Sequence, residues 1–117
     1  MTQSAHFRSA EQYDSESDTD AVADAVIAAK VNHRVYVTGV SISASDAPVA
    51  SVVATLGSTS IPAADLFRLP VAAFSPIVIN YNYPLRFGIN EAVTLTLPAL
   101  GAAVIGTVVI RGFYKQE

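Results

Sequence analysis

Over residues 91–97 the chain alternates well, with Val93, Leu95 and Leu97 apolar and Thr94 and Thr96 polar. Strand side chains point alternately to two faces, so this pattern predicts a half-buried β-strand. Residues 34–44 are rich in β-branched side chains and predict a long strand, with Gly39 marking a bulge or a close backbone approach. Ser45, Asp46, Ala47 and Pro48 have the composition of a turn. Residues 50–56 predict a second long strand ended by Gly57-Ser58, and the two strands are expected to form a hairpin. Residues 59–61 fit a short return strand before Pro62, and residues 65–69 another between Pro62 and Pro70. After the Ser75-Pro76 break come a strand over 77–81 and a separate short extended piece over 84–88. A final strand spans 104–114, with Gly106 and Gly112 as candidate bulges.

Residues 21–30 are ambiguous. Their alanines, preceded by Asp18 and Asp20, suit a short helix, whereas alternation at Val22, Asp24, Val26 and Ala28 suits a strand. The second half, 25–29, reads as the first strand. Short strands punctuated by Pro and Gly, without a long amphipathic helix or a fixed repeat, predict an all-β fold. The expected form is an antiparallel β-sandwich, jelly-roll-like, with an extended N-terminal arm. Residues 1–20 form that polar arm and residues 21–117 a single domain. The arm has only Phe7 and Tyr13 as large apolar groups. It reads either as a flexible tail or as a segment ordered against a neighbouring subunit, with Phe7, Arg8 and Tyr13 as contacts.

Composition sharpens this picture. Charged residues make up 15% of the chain, below the ~25% typical of soluble proteins. A surface this weakly charged favours association with other proteins. The net charge of −3 gives no support to nucleic-acid binding. No apolar run approaches the ~18 residues of a membrane span, and no secretory leader is legible at the N-terminus. Without cysteine there is neither a disulfide framework nor a thiolate metal site.

Candidate chemistry is sparse. His6 and His33 have no carboxylate or second histidine at metal-ligand spacing. Asp24, Asp46, Asp65 and Glu91 are scattered, and no nucleophile elbow or phosphate-cradling loop occurs. The acidic run over 14–20 lacks the mid-loop glycine and closing glutamate of a calcium loop, and reads as solvated arm. No cofactor is expected, and the chain reads as non-enzymatic. The aromatic cluster of Phe74, Tyr81, Tyr83 and Phe87, beside Asn80, Asn82 and Arg86, admits three roles: core, protein interface, or a sugar-binding face. Phe74, Tyr81 and Tyr83 join the arm residues as candidate partner contacts.

Three segments carry a family resemblance. They are residues 28–40, containing Lys30 and Val37-Thr38-Gly39-Val40; residues 83–95, containing Pro84-Leu85-Arg86-Phe87 and Asn90-Glu91-Ala92; and the closing Gly106-Thr107-Val108-Val109-Ile110. Through them residues 25–114 resemble small structural proteins of tailed bacteriophages, especially capsid decoration or cement proteins that stabilise the head. The resemblance implies a β-sandwich on the capsid surface of the virion, made in the host bacterial cytoplasm. Its implied partners are the major capsid protein and neighbouring copies of itself, as trimers or dimers, with no nucleic acid and no membrane. The alternatives are a tail, neck or fibre component, or a carbohydrate-binding adhesion module using Tyr81 and Tyr83.

Overall fold

The computed structural model describes residues 11–62, 64–69 and 76–116. Eight strands follow in chain order: β1 (Gln12–Thr19), β2 (Ala23–Ile27), β3 (His33–Ala44), β4 (Val52–Ser58), β5 (Ala64–Leu69), β6 (Ile77–Ile89), β7 (Val93–Leu97) and β8 (Ile105–Gln116). They build two four-stranded sheets, ordered β1-β8-β3-β6 and β2-β7-β4-β5, with every neighbouring pair antiparallel. This strand order is that of an eight-stranded jelly roll, two Greek keys folded into facing sheets. The all-β sandwich expected from the alternation is therefore the fold.

The core is the space between the inner faces. Val35, Val37, Val40 and Ile42 of β3 and Val108 and Ile110 of β8 come from one sheet. Ala25 and Ile27, Ala54 and Leu56, and Val93, Leu95 and Leu97 come from the other. Burying a side chain of the Val, Leu or Ile class stabilises by roughly 1.5–3 kcal/mol, so this double layer supplies the main driving force. The inner set of β3 changes phase at one point, from Val35 and Val37 to Val40 and Ile42. The register with β8 shifts there, between Val37 and Gly39, leaving Thr38 as the extra residue. The bulge anticipated at Gly39 is thus real, and it keeps the apolar residues inward on both sides of the slip.

Several sequence expectations need correction. β3 and β4 do not form a hairpin: they lie in opposite sheets. Residues 45–51 carry the chain across, with Pro48 buried and the Val49 N–H bonded to the Leu100 carbonyl at 2.8 Å. Each strand has one apolar face, and facing sheets bury both at once, which an isolated hairpin cannot do. The short return strand over 59–61 is a bend, closed by Ser58 N–H to the Ile61 carbonyl at 2.8 Å. The ambiguous segment resolves as β2, two residues earlier than expected, with Ala23, Ala25 and Ile27 inward. The two pieces expected over 77–81 and 84–88 are one strand, β6.

The polar segment expected as an arm also differs in part. Residues 1–10 lie outside the described residues, but Gln12–Thr19 form β1, paired with β8 in unbroken register from Gln12↔Gly112 to Thr19↔Ile105. This strand depends on the backbone ladder offered by β8, and its own polar composition gives no hint of that partner.

Candidate functional site

Each sheet has two outer strands, so the sandwich has two long sides. One is formed by β1 and β2, the other by β5 and β6. The first is sealed, because the Asp14 carboxylate on β1 accepts the Val26 N–H of β2 at 2.8 Å. Charged groups turned along an edge in this way also discourage further strand pairing.

The second side is open. A cavity of about 270 Å³ lies there, lined by Leu56, Ile61, Pro62 and Leu66 together with Leu85 and Phe87 of β6; Asp65 and Arg86 add charge to its lining. The strand that flanks it is irregular. Between Val37↔Leu85 and Gly39↔Asn80 the register jumps, so residues 81–84 of β6 oppose only Thr38. Pro84 within this stretch has no N–H for a ladder, and such prolines are confined to edge strands and bulges.

The bulge decides where the candidate aromatics go. Tyr81 packs against the core, and its hydroxyl is shielded from solvent with no partner among the described residues. That burial raises its pKa above the ordinary value. Tyr83, two residues on, is 88% exposed. In a regular strand they would share a face, as a sugar platform requires. Here the bulge turns them apart. Tyr13 stands on β1, on the opposite side of the fold, 66% exposed. Phe7, Arg8 and Phe74 lie outside the described residues.

The sequence reading did not single out Leu56, Ile61, Leu66 or Leu85. Pro84 was the one available signal, since a proline inside a strand pattern marks an edge. That these side chains line a gap depends on the sheet order.

At the end of the sandwich beyond this cavity, Glu91 ties two connections together. Its Oε1 accepts the Ser60 N–H at 2.9 Å, the Ser60 hydroxyl at 2.9 Å and the Ser58 hydroxyl at 2.8 Å. The Ser60 backbone bond, then the two hydroxyls and nearby Arg34, hold its carboxyl below the usual value of 4.5. His33 sits at the same end. Its Nδ1 donates to the Val31 carbonyl at 2.7 Å, and its ring meets Tyr114 edge-on. The Tyr114 hydroxyl in turn donates to the Ala28 carbonyl at 2.6 Å. His33 and Glu91 are thus both engaged in fastening turns. Over β4 and β7 a shallow trough of about 370 Å³ is lined by Gly57, Ser58, Thr59, Ala92, Thr94 and Thr96. Among the described residues no three His, Cys, Asp or Glu side chains gather as a metal site would need. No helix of the described residues is long and apolar enough to cross a membrane.

No known family model matches the chain, and no curated protein is significantly similar to it. The geometry presents an apolar opening, exposed aromatics and an acidic side closed by the Asp14 bond to Val26.

Proposed function

We propose that this chain is a structural virion protein, a bacteriophage capsid cement or decoration subunit that binds the outside of the head and stabilises contacts between capsomers. The observation that carries the reading is the open β5–β6 side, where an apolar cavity is lined from both sheets and β6 also exposes Tyr83 and Val78 elsewhere along its length. Tyr83 stands 88% exposed on the bulge of β6. Covering it against a protein neighbour removes that surface from water. The jelly roll suits this role, being an architecture that viral capsid domains use, although fold alone does not assign function. The output of such a protein is docking energy repeated over many copies, so individually weak contacts suffice. No bond-making step enters this reading.

The test is to add purified protein to phage heads that lack it, locate it by electron microscopy and follow head disruption on heating. Density over capsomer junctions and a raised disruption temperature are expected, both reduced by Leu85→Glu, which places a charge in the cavity. Protein found only on tail, neck or fibre would move the function there. Absence from particles altogether would end the proposal.

A further inference from the structure

We propose that copies of this chain associate head to tail, the acidic β1–β2 side of one against the open β5–β6 side of the next. This deepens the attachment reading and rests on it for the idea that the open side is covered by protein.

Residues 11–27, which supply β1 and β2, contain Glu11, Asp14, Glu16, Asp18, Asp20 and Asp24, with no lysine or arginine. On the opposite side, β5 and β6 carry the exposed Arg68 and Arg86 against the single acid Asp65. The fold therefore places a strongly anionic side opposite a weakly cationic one. A two-fold dimer brings identical patches together. Through β1–β2 it would oppose two sets of six carboxylates, an arrangement that like-charge repulsion penalises. Joining unlike sides satisfies both, and repeating that contact gives a closed ring or an open chain.

Shape agrees with charge. Tyr13 stands 66% exposed near the start of the acidic strand. The opposite cavity, about 270 Å³, exceeds the roughly 150 Å³ that admits a benzene ring, so a tyrosine from the next copy has room to enter. Simple extension of one sheet into the next is disfavoured, because the bulge over residues 81–84 and Pro84 interrupt the β6 ladder. The contact is accordingly one of side chains: an aromatic in a cavity, with carboxylates facing arginines at the rim.

The absence of cysteine from the chain allows a direct test. Single-cysteine variants Ser15→Cys, on exposed β1 positions, and Tyr83→Cys, on the exposed β6 bulge, are treated with a bifunctional maleimide, alone and as an equimolar mixture. Cross-linked dimers are expected in the mixture and not in either variant alone. Dimers from one variant alone would mean a two-fold interface and overturn the proposal, as would no cross-linking in any sample. Sedimentation of the unmodified chain gives a second readout. Self-association should weaken as salt rises, and by about tenfold or more in Tyr13→Ala or in Arg68→Glu/Arg86→Glu. Wild-type association in both variants would refute the assigned sides. Because these measurements use no phage heads, they can fail while head binding succeeds, and the reverse.

Discussion

Gly39 offers a quantitative test of the bulged centre of the first sheet. Arg111 on β8 and Asn80 on β6 flank it in register, and the Arg111 guanidinium reaches over Gly39 to donate from Nη2 to Asn80 Oδ1 at 2.9 Å. A methyl group at position 39 would collide with that Nη2 and lie 3.0 Å from the Ile79 carbonyl oxygen. In an unobstructed strand, replacing glycine by alanine stabilises by roughly 0.5–1 kcal/mol. Here Gly39→Ala is expected to do the opposite. Displacing the guanidinium forfeits a hydrogen bond worth about 0.5–1.5 kcal/mol. The Ile79 carbonyl belongs to the β3–β6 pairing and cannot retreat without opening it, an overpacking cost of about 1–3 kcal/mol. Set against the propensity gain, the net loss is about 0.5–4 kcal/mol. Urea unfolding followed by far-ultraviolet circular dichroism should show the midpoint lowered by roughly 1 M with an unchanged slope. In an Arg111→Ala background the cost of Gly39→Ala should shrink by about 1 kcal/mol, leaving the carbonyl contact. A neutral or stabilising Gly39→Ala, or a cost indifferent to Arg111, would refute the crossing arrangement.

Glu91 supplies a pH dependence whose sign follows from its hydrogen bonds. Its folded pKa is depressed below 4.5, so the stabilisation is complete above that value and is lost as pH falls through the folded pKa. Thermal melts from neutral pH down to about pH 3 should therefore show a fall that Glu91→Gln reduces, and equal acid sensitivity in both proteins would contradict the assignment. Asp14 tests whether β1 belongs to the fold. Asp14→Ala removes the acceptor of the Val26 N–H and should cost about 1 kcal/mol in urea, with faster amide exchange at Val26; an unchanged exchange rate would mean that the two edges are not joined.

How much of this was legible beforehand varies by element. The period-2 pattern of Val93, Leu95 and Leu97 names both a strand and its buried face, because strand geometry alone puts alternate residues on one side. The slip beside Gly39 in β3 was readable from a different signal, the glycine itself, because a glycine inside a strand pattern marks a bulge or a close backbone approach. Gln12–Thr19 was not, since a strand held by its neighbour's ladder leaves little trace in its own hydrophobicity. Nor could the divergence of Tyr81 and Tyr83 be read from their spacing, which in an unbroken strand places them together.

By itself, then, the chain determined its class: β-branched alternation cut by proline and glycine yields strands with one apolar face, and such strands must pair face to face. Which strands became neighbours was decided only in three dimensions, because inner faces of similar Val, Leu and Ile content can pack in more than one order. That order alone gathers the acids of β1 and β2 on one side and leaves a gap between β5 and β6 on the other. Charge and cavity are properties of sides, and sides exist only once the sheets have closed on each other.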